Sequence, residues 1–281
     1  MASYDIDQAA GLRRMLERPV PRLFTFFSVL GEEEKSAMLI NLAASLSQAK
    51  HSVLVVDGDV ASTGLLTRIG LRHDVATLQE VARMERPMVE ATRRLPEGFS
   101  MARIARRTVP SATDPHAGRL AEIFDSLIEQ AEITLVNGVL ARDLSLPVPT
   151  MEMGEIVIQV STTASSIKSA YVLLKSLSDR IGRRPFSLIV NDATEAEART
   201  VYANMAQAAS RYLAAQLNFI GAIPADDHIR RATGQGRAVM DVFPFAGAAL
   251  AFQRLSKRFT EGPDAARSAY GMATDGASLG V

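Results

Sequence analysis

Short runs of apolar residues at 23–29, 52–56, 133–136, 155–160, 186–190 and 218–223 punctuate the chain, and apolar positions recur every three to four residues in most of the stretches between them. The runs predict buried strands and the intervening stretches predict amphipathic helices. Because the runs are nearly continuous rather than alternating, the strands are expected to be covered on both faces. The pattern therefore predicts an α/β fold, a mostly parallel, doubly wound sheet flanked by helices. In such a sheet ligands sit beyond the carboxyl ends of the strands. Residues 85–114, with Pro87, Pro96, Pro110 and many arginines, read as an irregular insertion around a short strand at 99–105.

The last helical pattern, ALAFQRLSKRF at 249–259, would place Leu250, Leu255 and Phe259 inward. Two readings stand for it: a terminal helix covering the core, or a helix lying on a membrane surface. Residues 262–281 are small and polar, as in a flexible tail. The expected division is an N-terminal helical segment at 1–20, an α/β domain at 21–261 and that tail.

Composition narrows the function classes. With 47% hydrophobic residues in 281, the chain is long enough to bury a large core. Lysine plus arginine balance aspartate plus glutamate at 31 each, so no global field draws the chain to nucleic acid or to an anionic membrane, and direct nucleic acid binding is not expected. Any such contact has to be local. The chain has no cysteine, which removes disulfides, thiolate zinc sites and thiol nucleophiles together. With no apolar signal stretch at the start, a cytoplasmic protein is expected.

Candidate chemistry is concentrated in FSVLGEEEKSAMLINLAASLSQAKHSVLVVDGD, residues 27–59. A strand, a tight turn, Lys35-Ser36, a long helix and a second strand ending in Asp57 and Asp59 have the layout of a phosphate-binding unit. Such a loop normally uses glycines, because backbone N–H groups must converge on phosphate oxygens in conformations that side chains resist. Here Gly31 alone remains, and Glu32, Glu33 and Glu34 follow it. A non-glycine residue in a strained conformation costs on the order of 1–3 kcal/mol. A carboxylate about 4 Å from a phosphate charge adds roughly 1–4 kcal/mol of repulsion. Together these offset most of the roughly 8 kcal/mol that micromolar binding represents. The other reading of Glu32–Glu34 is a solvated turn and an acidic first helical turn.

The remaining positions are open to two readings each. Lys35 and Ser36 suit a phosphate and a Mg²⁺ ion, or simply the first turn of a helix. Asp57 and Asp59 suit a metal-facing carboxylate and a water-positioning one, or ordinary turn chemistry around Gly58. In EITLVNGV, residues 132–139, Asn137 stands at a strand end where a magnesium-binding aspartate is expected, and an amide is the weaker ligand for a hard cation.

These motifs resemble the MinD/ParA group of deviant P-loop ATPases and, within it, the flagellar-number regulators of the FlhG/FleN type. The group's loop pattern K-G-G-x-G-K-[ST] falls on Leu30, Gly31, Glu32, Glu33, Glu34, Lys35 and Ser36, so the signature lysine that reaches a partner subunit's nucleotide is replaced by Leu30. Its D-x-D falls on Asp57 and Asp59. VSTTASSIKSAYVLLKSLSDR at 160–180 is similar to the segment after the group's fourth strand, and Asn191 in LIVND matches an adenine-contacting asparagine. FIGAIPADDHIRRATGQGRAVMDVFP at 219–244 resembles the closing G-x-I-P-x-D block. The resemblance implies ATP and Mg²⁺ as cofactors and ATP hydrolysis with Asp59 positioning water, Asp57 and Ser36 facing the metal, and Gly31, Lys35, Ser36 and Asn191 holding nucleotide. The loop sequence implies that this activity is very weak or lost.

DIDQAAGLRRML at 5–16 resembles the D-Q-A-x-x-L-R helix of the flagellar regulators, through Asp7, Gln8, Ala9, Leu12 and Arg13. In them that helix stimulates the signal-recognition-particle-like GTPase FlhF, with the glutamine placed toward the attacking water. From the residues alone, Ile6, Ala9, Leu12 and Leu16 make one narrow apolar face, suited either to a partner's groove or to packing on the chain's own domain. The resemblance implies an FlhF-like GTPase as partner, flagellar switch or transcription-regulator proteins as others, and peripheral placement at the inner membrane face or the cell pole. The tail at 262–281 shows no pattern for the amphipathic targeting helix these proteins usually carry.

Overall fold

The computed structural model describes residues 20–60, 65, 75–110, 113–140 and 145–261. Along the chain run β1 (Arg22–Ser28), α1 (Glu32–Gln48), β2 (Val53–Asp57), α2 (Leu78–Ala82), β3 (Thr92–Arg94), β4 (Ser100–Arg103), α3 (Ala117–Ile128) and β5 (Ile133–Asn137). They are followed by β6 (Glu155–Ser161), α4 (Ala164–Ile181), β7 (Phe186–Asn191), α5 (Glu195–Leu213), β8 (Leu217–Ile223), α6 (Asp227–Thr233), α7 (Val239–Val242) and α8 (Gly247–Thr260). The strands form one eight-stranded sheet in the order β3-β4-β2-β5-β1-β6-β7-β8. Every pairing is parallel except β3 with β4.

The apolar runs are continuous because neighbouring residues on one strand serve opposite cores. Val53 and Val55 face a core with Phe24, Phe26, Leu42 of α1 and Phe252 of α8, whereas Leu54 and Val56 face another with Phe124 of α3, Leu174 of α4 and Val201 of α5. Side chains alternating along a strand thus meet helices on either side. Phe259 of α8 closes one layer, edge-on to Phe24 at 4.8 Å and stacked on Phe26 at 5.8 Å. Helix α1 is buried from Lys35 to Leu46.

Two expectations need correction. The stretch 85–114 holds the expected short strand, as β4, but its described part is more regular than expected: a 3₁₀ turn at Met88–Glu90 leads into a β3–β4 hairpin, and β4 pairs with β2 so that Asp57 lies beside Arg103. Strand β3 escapes a hydrophobicity reading because it is a three-residue edge strand whose Arg93 and Arg94 are exposed, a common way of blunting an edge. In α8, Leu255 and Phe259 point inward as expected but Leu250 is 43% exposed. Ala248, Ala249 and Ala251 fill that part of the packed face, with Phe252, Leu255 and Phe259 continuing it toward the C-terminus. Among the described residues no helix is long and apolar enough to cross a membrane.

The strand order reverses around β1, which lies between β5 and β6. The carboxyl ends of β1, β2 and β5 therefore open onto a single crevice, the switch point of a doubly wound sheet.

Candidate functional site

Strand β1 delivers the loop Val29-Leu30-Gly31 to that crevice, and α1 begins at Glu32 with its first N–H groups directed the same way. Gly31 is the N-cap, with φ −63° and ψ 160°, and no side chain caps the helix. Its lack of a side chain matters through contact rather than through φ. A Cβ there would stand 2.6 Å from Oε2 of Glu34, so the Glu34 carboxylate is folded back over the loop. An acidic group at a helix N-terminus is favoured by the helix dipole, so the chain places its own anion where an unfilled cradle would receive one.

Glu32 turns the other way. Its Oε1 lies 3.6 Å from Nζ of the buried Lys35. It also shares a hydrogen bond with the carboxyl of Asp59, and burial, together with the Asp59 charge, pushes its pKa up against the opposing pull of Lys35. Lys35, expected to meet phosphate, thus faces an internal carboxylate. Ser36 is buried one residue further into α1.

Asp57 is fully buried at the end of β2. Its Oδ1 accepts from Nδ2 of Asn137 at 2.8 Å and from the Asp59 N–H at 3.1 Å, whereas Oδ2 has no hydrogen-bond partner among the described residues. Desolvation raises its pKa to about 6, although Asn137, the Asp59 amide and the nearby Arg103 charge all pull it down. Gly58 is required by close approach: its N–H donates to the Asn137 carbonyl at 3.1 Å, and a Cβ would lie 2.5 Å from that oxygen. The Asp57-Gly58-Asp59 turn is thereby clamped against the end of β5.

Asn137 therefore acts as a donor toward Asp57 where a second carboxylate would repel it. Its own Oδ1 is buried without a partner among the described residues. Among those residues no three His, Cys, Asp or Glu side chains converge closely enough to hold a metal ion.

Asn191 ends β7, and its Oδ1 is likewise buried without a partner among the described residues. The next residue, Asp192, has φ 53°, a left-handed conformation that aspartate tolerates better than most residues. Burial and the charge of Glu34 both raise the Asp192 pKa, which brings the β7 end and the start of α1 into one electrostatic neighbourhood. The structure thus gathers Gly31, Lys35, Ser36, Asp57 and Asp59 around the crevice, with Asn191 near its rim. The proposed partner-binding residues Asp7, Gln8, Ala9, Leu12 and Arg13 lie outside the described residues.

Arg103 was not expected at the site. It is a buried arginine at the end of β4, and its Nε and Nη2 donate to the Asp59 carbonyl at 3.4 and 3.2 Å. Its charge acts on Asp57, next to it across the β2–β4 pairing, and favours the ionised carboxylate against the cost of burial. Its signal in the sequence was a charged residue closing an apolar strand, the same signal that marks Asp57.

The Asp57 shift has a measurable consequence. A folded-state pKa of about 6 against an ordinary value of 3.8 means that the folded state holds this proton more tightly. The contribution of Asp57 to stability is then most favourable below pH 4, falls as pH rises through the window between the two values, and stays lower above it by about 3 kcal/mol. Asp57→Asn is expected to be more stable than the native chain by about 3 kcal/mol at pH 8 and by only about 1 kcal/mol at pH 4.5. Urea unfolding at the two pH values measures this; an equal gain at both would mean that burial of the charge is not the cause.

The chain is 26% identical over 233 residues to the antiactivator FleN of Pseudomonas aeruginosa, covering 82% of each protein. Its fold is similar to that of the cell division ATPase MinD of Pyrococcus furiosus, with TM-score 0.63 and 20% identity over 86% of this chain and 99% of that one. It is equally similar to MinD of Pyrococcus horikoshii complexed with Mg-ADP, with TM-score 0.64 and 20% identity over 85% and 96% of the two chains. Residues 24–239 match the model of the CobQ/CobB/MinD/ParA nucleotide binding domain, which takes in the loop, the Asp57-Gly58-Asp59 turn, Asn137 and Asn191. The chain belongs to the CobQ/CobB/MinD/ParA nucleotide-binding domain family.

Proposed function

We propose that the protein is a FleN-type regulator of flagellar number and placement, that it acts on an FlhF-like GTPase through residues 1–20, and that its own nucleotide handling is weakened or lost. In this reading residues 21–261 are a MinD/ParA-like scaffold and residues 262–281 a flexible tail. The observation that carries the nucleotide part is the internal neutralisation of the loop. Glu34 covers Gly31, Glu32 engages Lys35 and Asp59, Asn137 donates to Asp57, and Arg103 holds the Asp59 carbonyl with its charge near Asp57. These residues do not fit a magnesium triphosphate, which needs positive or neutral donors around the phosphates and hard oxygen ligands for the metal. The partner part is supported by the D-Q-A-x-x-L-R residues and by the likeness to FleN, an antiactivator. That likeness also supports a transcription regulator or flagellar switch protein as a second partner, and a cytoplasmic protein that visits the inner membrane face or the pole.

A second reading is an ATPase with a nucleotide-dependent dimer cycle. It is favoured by the buried, unpartnered Oδ1 of Asn191, an acceptor suited to an adenine amino group, and by Lys35, Ser36, Asp57 and Asp59 being gathered at one crevice. Sedimentation separates the two readings. With Leu30 in place of the cross-subunit lysine, the sedimentation coefficient is expected to be the same with and without Mg-ATP; an ATP-dependent dimer would establish the second reading.

A further inference from the structure

Beyond β6 and β7, β8 forms one edge of the sheet, and among the described residues its edge is protected along only part of its length. The Leu217 carbonyl accepts from Oη of Tyr202 at 3.1 Å and the Phe219 carbonyl from Nη1 of Arg258 at 3.3 Å. Beyond them the register shifts. Leu188 pairs with Phe219 and Ile189 with Gly221, so Ile220 has no residue opposite it on β7. A bulge of this kind ends regular pairing and re-aims the backbone. Here it opens a groove of about 340 Å³ between β8 and α8, floored by Ile220, Gly221, Ala222, Ala251 and Leu255. The volume falls at the small end of ligand-sized clefts.

Charge on the rim is one-sided. Arg254 and Arg258 project from α8 at a four-residue spacing, so they share one ridge with Leu250. Glu195 is the acidic member of the rim, and Arg199 already holds it at 2.8 Å while lying over the Phe219 ring. Arg254 makes no ion pair among the described residues, and its side chain is exposed. At the end of the ridge opposite Arg258, Leu250 and the 91% exposed Phe245 offer apolar surface.

We propose that this groove is a docking site for an acidic segment of a partner protein, with carboxylates on Arg254 and Arg258 and an apolar side chain against Leu250 and the groove floor. Charge complementarity selects an acidic occupant, because two arginine forks and one already neutralised glutamate leave net positive charge over an apolar floor. The concave shape selects a peptide over a bilayer: a flat anionic surface would touch the rim and leave the floor empty. No residue of the Val29–Ser36 loop lines the groove, so the proposal stands whether or not the loop binds ATP.

Selection of phage-displayed random peptides on the full chain tests this. The enriched pool should be rich in aspartate and glutamate with at least one large apolar residue. A representative peptide, synthesised and labelled, should bind at least tenfold more weakly to the Arg254→Glu chain and to the Leu250→Ser chain, both exposed positions whose unfolding midpoints should match the native chain. Replacing the peptide's acids by lysine should restore binding to Arg254→Glu, an effect that misfolding cannot imitate. A pool without acidic bias, binding unchanged in the variants, or absence of any enriched peptide would overturn the proposal. So would binding to phosphatidylglycerol vesicles that alone responds to these substitutions, since it would make the ridge a membrane contact.

Discussion

A chain carrying Leu30→Lys, Glu32→Gly, Glu33→Gly, Glu34→Gly and Asn137→Asp is expected to bind Mg-ATP at least a hundredfold more tightly than the native chain. Glu32 and Glu34 are the carboxylates that lie on the loop, and each repels a nearby phosphate charge by roughly 1–4 kcal/mol. Their joint removal, roughly 2–8 kcal/mol, spans the roughly 2.8 kcal/mol that a hundredfold change requires, and Leu30→Lys contributes attraction on top of it. Removing Glu34 also uncovers Gly31, and removing Glu32 leaves Lys35 without its partner at 3.6 Å. Asn137→Asp supplies a hard oxygen beside Asp57 but sets two carboxylates together in a buried place, so the gain should depend on Mg²⁺. Titration of a fluorescent ATP analogue, with and without Mg²⁺, reads both effects. An affinity unchanged from the native chain would show that the glutamates are not what limits binding.

The second large effect is expected at the other end of the chain. Full-length protein should accelerate GTP turnover by an FlhF-like GTPase, and Leu12→Asp should abolish the acceleration, because it places a charge in an apolar contact. Gln8→Ala should lower stimulated turnover at least tenfold while leaving complex formation nearly intact, since orienting water and docking are separable contributions. Stimulation and pull-down measured on the same three proteins check this. If all three behave alike, residues 1–20 are not the activating element.

The sheet was legible because burial on both faces leaves a coarse mark. Residues such as Leu54 and Val55 face different cores yet are both apolar, and each of the six runs became a strand. The β3 strand was not legible, because Arg93 and Arg94 satisfy edge protection rather than burial. Leu250 misled because its spacing suits an inward face, whereas Ala248, Ala249 and Ala251 are the buried residues of that turn. A Cβ on Gly221 would lie 2.8 Å from Leu255, a close approach of α8 to β8 that no helical period encodes. At the site, the sequence located Lys35, Ser36, Asp57, Asp59 and Asn137 through their places after strands. It was silent on who pairs with whom. That Glu32 reaches both Lys35 and Asp59, that Glu34 bends over Gly31, and that Arg103 arrives from a strand more than forty positions away are consequences of packing.

The central claim is that the family's crevice persists here with its charges satisfied from within, leaving little affinity for nucleotide. Isothermal titration of the purified native chain with Mg-ATP and with Mg-ADP tests it most directly. The account predicts no saturable heat with either nucleotide at micromolar concentrations; a dissociation constant in the low micromolar range that Lys35→Ala abolishes would contradict it.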